Sequence, residues 1–205
     1  SPNIKKIYDH IFTWDDDSID NLQYIKANTN FLETRWVEPT LKNNKFVMIA
    51  SNKTAWHSNE LYSTRVEIIE WFENNSKDDF DLYGAGWDNF AFPNNVRPWT
   101  YLNHERLKWI RKLFHKKRKS WLGTTPTKKE VMSKYRFSFA IENAHGYNGY
   151  ILEKIFDPFF SGSIPIYKGA NNITKHIPAE CFILLDEFES IPDVVRYCKS
   201  LSNNK

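Results

Sequence analysis

The sequence predicts an α/β protein built on a doubly wound, mostly parallel sheet. Three observations carry this. A continuous apolar run, KFVMIAS at 45–51, has the texture of a strand buried on both faces of a parallel sheet. A segment with helical spacing and a short strand ending in glycines, DFDLYGAG at 79–86, follow it and make a strand–helix–strand unit. The second half then alternates: RFSFAIEN, GYILEKIFDPFFSG, SIPIYKG, CFILLDEF and SIPDVVRYCKSLS read as strand, helix, strand, strand and closing helix.

Taken in order, residues 1–44 lack a sustained pattern and 45–205 form a Rossmann-like domain. IYDHIFTW (7–14) reads as a strand before the acidic turn DDDS. Three adjacent carboxylates invite a metal reading, but a solvated turn or helix cap is preferred. In ELYSTRVEIIEWFENN (60–75), Leu61, Val66, Ile69 and Phe72 fall on or near one helical face. Residues 87–126 are less regular and include HERLKWIRKLFHKKRKSW, basic with interleaved aromatics. A helix with a solvated basic face, a nucleic-acid contact and an anionic-membrane contact all fit that stretch. Thr127 and Glu130 have capping-box spacing. The next helix is expected to open with Tyr150, to run through Pro158 and to stop at Gly162.

Composition excludes some classes. With 41% hydrophobic and 26% charged residues over 205 positions, the chain is a globule and not a disordered segment. A net charge of +3 is too small to argue for nucleic acid, yet it suits an anionic small ligand if the positive charge is focused. Cys181 and Cys198 make no disulfide framework and have no zinc spacing, so they read as ordinary thiols in a reducing compartment. No apolar run reaches the roughly 20 residues of a membrane span, and no signal peptide is visible. The first residue is Ser1, so the natural chain is expected to extend upstream.

In doubly wound sheets, ligands bind at the carboxyl ends of the strands. RFSFAI is followed there by Glu142 and Asn143, then by a Gly/Tyr-rich turn, and then by Tyr150, Glu153 and Lys154. A helix N-terminus attracts phosphate, and Lys154 would add a full charge. Glu153 could accept hydrogen bonds from ribose hydroxyls, and Tyr150 could stack on a base or sugar. Arg65, on the first helix, is suited to bidentate phosphate contact. A Glu-Lys pair as bare surface decoration remains the alternative.

The segment YRFSFAIENAHGYNGYILEKIFDPFFSGSIPIYKGANNITKHIPAECFI (135–183) resembles the signature of the α-1,3-fucosyltransferases, glycosyltransferase family ten. DLYGAGW and SNKTAWHSNELYSTR are similar to earlier donor-domain segments of that family. The resemblance implies the C-terminal lobe of a GT-B glycosyltransferase. Residues 1–44 would be the tail of an acceptor domain and the linker, and 45–205 the lobe that binds GDP-fucose. It implies inverting transfer of L-fucose from GDP-β-L-fucose to a hydroxyl of an acceptor oligosaccharide or glycoconjugate. By position, Arg65 and Lys154 would hold the diphosphate, Glu153 the ribose, and Tyr150 would pack near the nucleotide. Asn143 and Glu142 would line the fucose end, and Gly84 and Gly86 would let the backbone pass close to guanine. The family's Thr before Glu-Lys is Leu152 here, so a hydroxyl is lost. The catalytic base, a Glu of the acceptor domain, is expected upstream, and no residue here is assigned to it.

No cofactor or dedicated metal site is expected, since no convincing D-x-D follows a strand; a loosely assisting divalent cation fits the chemistry equally. No nucleic-acid partner is expected, and peripheral membrane contact would fall to 105–121. The location expected is cytoplasmic for a bacterial or viral-type enzyme and Golgi for a eukaryotic one. Two other readings stay open: a transferase for another nucleotide sugar, and a non-enzymatic module that binds polyanions or membrane.

Overall fold

The computed structural model describes residues 7–27, 42–88 and 118–203. Two three-residue strands, β1 (Ile11–Thr13) and β2 (Tyr24–Lys26), pair in parallel at the N-terminal end. The acidic turn between them is a cap: the Asp15 carboxylate accepts from the amide of Asp17 at the start of a 3₁₀ turn, Asp16–Ser18. The expected strand over 7–14 shrinks to β1.

The main sheet holds five parallel strands: β3 (Asn43–Ile49), β4 (Phe80–Tyr83), β5 (Tyr135–Ile141), β6 (Ile164–Lys168) and β7 (Ile183–Leu184). Their order across the sheet is β4-β3-β5-β6-β7. Phe46 of β3 is in register with Phe80 on one side and Phe137 on the other. The chain first winds outward from β3 to β4, then returns to the opposite side of β3 to lay down β5. That reversal opens a crevice above the carboxyl ends of β3 and β5.

Strand alternation sorts side chains onto the two faces. Phe46, Met48, Phe137, Phe139, Ile141 and Ile166 pack with Ile68, Ile69 and Phe72 of α1 (Tyr62–Asn75) on one face. Val47 and Tyr135, with Met132 of α2 (Lys128–Met132), lie on the other. There too, Ala140 and Tyr167 meet Ile155 of α3 (Glu153–Phe160). Val194, Val195 and Cys198 of α4 (Ile191–Asn203) join the α1 face. The Phe72 ring centroid is 4.6 Å from that of Phe80 and 5.2 Å from that of Phe46, so much of the α1 attachment is aromatic. Each ring fully buried in this way contributes about 1.5–3 kcal/mol.

Three boundaries and the bonding of one cap differ from the sequence expectation. The N-terminus of α1 is capped by the residue before its N-cap: the Glu60 carboxylate accepts from the amides of Tyr62 (2.6 Å) and Ser63 (3.1 Å). Thr127 is the N-cap of α2 as expected, but it meets Glu130 side chain to side chain (2.8 Å), not through the backbone as in a capping box. Helix α3 starts at Glu153, not Tyr150, because Leu152 is extended and gives its amide to Glu142 (2.8 Å). The CFILLDEF strand pairs over two residues, after which Leu185–Glu187 coils into a 3₁₀ turn that buries Leu185 and brings Asp186 onto Lys168.

The C-terminus of α3 behaves as expected. Gly162 takes φ +63°, its amide bonds the Phe159 carbonyl, and the Ser163 amide bonds the Pro158 carbonyl (both 2.9 Å). This pair of bonds is a Schellman stop, which needs a left-handed residue at Gly162. Just ahead of β3, Lys42 donates to the carbonyls of Ser133 (2.6 Å) and Ser161 (2.9 Å), the C-caps of α2 and α3. A cation there also complements the negative ends of both helices.

Candidate functional site

The crevice holds a cavity of about 380 Å³. Its floor is the carboxyl ends of three strands: Ala50 and Ser51 after β3, Gly84 and Ala85 after β4, and Ile141 and Asn143 around the end of β5. Its wall is the start of α3, through Glu153 and Lys154, and the start of α2, through Lys128. Lys53 and Arg65 complete the cationic lining, so four basic side chains face two acidic ones, Glu153 and Asp157. The lining thus carries a local excess of positive charge where a ligand would sit.

Arg65 is 4% exposed. Its Nη2 donates to the carbonyls of Ile141 and Glu142 (both 2.7 Å) and to Asn143 Oδ1 (3.0 Å). The guanidinium lies 4.8 Å from the Tyr62 ring centroid, and its Nε has no partner. Burial lowers its pKa, opposed by nearby Tyr62 and by Glu142, Glu153 and Glu60. The residue therefore ties down the end of β5 while bordering the cavity.

Lys154 Nζ lies 3.1 Å from Glu153 Oε1 and 3.6 Å from Glu142 Oε2. Burial acts to raise the Glu153 pKa, but Lys154, a backbone hydrogen bond and Lys128 together outweigh it, and the carboxyl sits below its ordinary value. Glu142 is fully buried behind the wall and does not line the cavity. Burial raises its pKa to about 7 against the opposing pull of Lys154 and the Leu152 amide. The ion-pair distance and the raised pKa point in opposite directions; burial prevails because 3.6 Å is too long for a direct charge-assisted hydrogen bond.

Tyr150 lies off the cavity. Its ring meets Trp14 edge-on at 5.0 Å, and Tyr147 joins them at 6.1 Å from Trp14. Burial raises the Tyr150 pKa, and a hydrogen bond with Asn143 opposes this. Gly84 lines the cavity with φ +134°, and a Cβ there would stand 1.9 Å from the Ala50 carbonyl oxygen. Its glycine is needed for the crossing of β3 and β4 as they leave the sheet. Gly86 lies beyond the cavity, where its carbonyl accepts from Asn52 Nδ2 (3.0 Å).

The structure thus gathers Arg65, Asn143, Glu153, Lys154 and Gly84 at one cavity, sets Glu142 behind it, and leaves Tyr150 and Gly86 beside it. Sequence reasoning missed Lys53 and Lys128. The available signal was positional: Lys53 follows β3, and Lys128 opens the helix after Thr127. Residues 105–117 of the basic stretch lie outside the described residues. At its end, Arg118 is held by Glu70 (2.9 Å) and Glu73 (3.5 Å), and Trp121 Nε1 donates to the Gly84 carbonyl. Among the described residues, no group of three His, Cys, Asp or Glu is placed to hold a metal, and no helix is long and apolar enough to cross a membrane.

The family model for the C-terminal part of glycosyltransferase family 10, the fucosyltransferases, matches residues 103–205. The chain belongs to that family. Among family relatives, an α-(1,3)-fucosyltransferase of Helicobacter pylori is 37% identical over 78 residues, which are 38% of this chain and 16% of that protein. An α-(1,4)-fucosyltransferase of Arabidopsis thaliana is 38% identical over 74 residues, 36% of this chain and 18% of that protein. A crystal structure of an α1,3-fucosyltransferase with GDP superposes at TM-score 0.54 and 23% identity, over 82% of this chain and 37% of that one. Another, with GDP-fucose, superposes at TM-score 0.51 and 22% identity, over 80% and 36%. The superpositions show a shared fold, the Rossmann-like lobe expected of a GT-B glycosyltransferase. The family 10 chain described here spans less than a fifth of those two curated relatives.

Proposed function

We propose that this chain is the donor-binding lobe of a fucosyltransferase, which holds GDP-β-L-fucose in the switch-point cavity. The intact protein would transfer L-fucose with inversion to a hydroxyl of an acceptor glycan. One observation carries this reading: a cavity at the carboxyl ends of β3, β4 and β5, lined by four basic and two acidic side chains, with Lys154 at the start of α3. Similarity to named fucosyltransferases, and to folds solved with GDP and GDP-fucose, supports the choice of sugar.

The chemistry follows from where charge develops. As the bond from the anomeric carbon to the diphosphate breaks, negative charge grows on the leaving phosphate. Lys154 and Arg65, both bordering the cavity, would stabilise that charge as fixed positive charge. Glu153 and Asn143 would orient the sugar end of the nucleotide by accepting from its hydroxyls. The acceptor proton needs a base, which this proposal places in the acceptor domain.

Calorimetric titration of the folded chain with GDP and GDP-fucose tests the reading, with GDP-mannose and UDP-sugars as competitors. Lys154→Ala is expected to weaken GDP binding by about 10- to 100-fold. Lys119→Ala, on the exposed flank, is expected to leave it within error. Equal losses at both positions, or no binding by folded wild-type protein, would reject a built diphosphate site.

A further inference from the structure

Among the described residues, Glu142 is the one fully buried carboxylate beside this cavity, and one of its two oxygens lacks a hydrogen-bond partner. Oε1 accepts the Leu152 amide at 2.8 Å and so fixes where α3 begins. Oε2 has no hydrogen-bond partner. Its facing cation is Lys154 Nζ at 3.6 Å, and Lys154 lies closer to Glu153, at 3.1 Å. The other charged and titratable groups around it are Arg65 from α1, Tyr167 from β6 and Tyr150 from the turn before α3. Arg65 is committed to backbone carbonyls and Asn143. A buried carboxylate with one free oxygen and a shared cation is poorly compensated, so it is sensitive to any further negative charge nearby.

Resting on the nucleotide-sugar reading, we propose that Glu142 is a positioning residue that sets Lys154 and the start of α3 for the donor diphosphate and takes up a proton when the diphosphate arrives. The bound diphosphate competes with Glu142 for Lys154 and brings two negative charges to the cavity wall. Both effects favour the neutral acid, so one proton passes from solvent to the buried carboxyl. Binding adds one donor and a fraction of a proton that depends on pH: an O–H bond forms on Glu142, the matching bond to hydrogen breaks in hydronium or the buffer acid that supplies the proton, and no bond of the donor itself changes.

The sign follows by linkage. The free site has Glu142 titrating at about 7. Diphosphate raises that value, so donor affinity is full below it and declines as pH rises through the interval between the free and bound values. GDP-fucose is the suitable probe because its diphosphate is diesterified and does not titrate near neutrality. The wild-type chain is expected to bind it about five- to tenfold more weakly at about pH 8.5 than at about pH 6.5. Calorimetry at about pH 8 in buffers of different ionisation enthalpy should show net proton uptake on binding.

Glu142→Gln keeps the acceptor for the Leu152 amide and removes the titration. It is expected to bind with little pH dependence and without buffer-dependent heat. The proposal is overturned if wild type binds with no proton exchange, or if Glu142→Gln keeps the wild-type pH slope. The buffer comparison needs only wild type, so it decides the matter even if the variant fails to fold. Absence of binding by folded wild type at every pH instead overturns the nucleotide-sugar reading itself, and this proposal with it.

Discussion

Gly84 and Lys154 show what single residues contribute on the two sides of the cavity. Gly84→Ala places a Cβ 1.9 Å from a backbone oxygen at a left-handed φ, so the chain must shift. A loss of about 2–4 kcal/mol in urea unfolding is expected, with the cavity floor displaced. That requirement was half legible: DLYGAG announced a strand end with special backbone needs, but the partner, Ala50, lies just past another strand. Lys154 was legible because it sits next to a helix start that follows a strand. The state of Glu142 was not, because burial depends on what β6 and α3 place around it. Arg65 was found for its chemistry, while its bonds to three successive residues, Ile141 to Asn143, join positions far apart in sequence.

At the scale of elements, periodicity and capping residues located nearly every segment from Asn43 onward that is described. Failures fell at ends, where tertiary bonds compete with local ones. Glu142 takes the Leu152 amide and delays α3, and the edge position of β7 leaves it only β6 as a neighbour. Lys42 is a case no local rule supplies, since its two acceptors are helix ends brought together only by the fold. Burial lowers its pKa, yet two carbonyls hold the ammonium. Lys42→Met keeps the stem and removes both bonds, and should lower stability by about 1–3 kcal/mol in urea titration. It should also loosen α2 and α3 together, read as faster amide exchange at 128–132 and 153–160.

At the scale of the whole molecule, the N-terminal strands are clasped to the turn before α3 and to the segment after β6. Asp16 meets Lys26, Asn172 (2.7 Å) and His176 (2.9 Å), while Asp17 accepts from Asn148 (3.0 Å). Burial works to raise the Asp16 pKa, but its bonds to Lys26, Asn172 and His176 bring it from 3.8 to about 2. A depressed carboxyl stabilises the fold above its unfolded value and stops doing so as pH falls through its folded value. Wild type should therefore exceed Asp16→Asn by about 1–2 kcal/mol at about pH 5, and the two should converge towards about pH 2, as read from urea midpoints.

The place of β3 in the sheet also has a temporal consequence. As the chain leaves the ribosome, β3, α1 and β4 are complete well before β5 exists. Phe46 can then meet Phe80, but the side of β3 that will receive Phe137 stays an open edge of unpaired amides and carbonyls. The ligand crevice, which lies along that same seam, is the last part of this half to form. A parallel sheet closed by so distant a strand folds slowly and is exposed to mispairing meanwhile, so the seam that gives the protein its site is also where its nascent chain is most vulnerable.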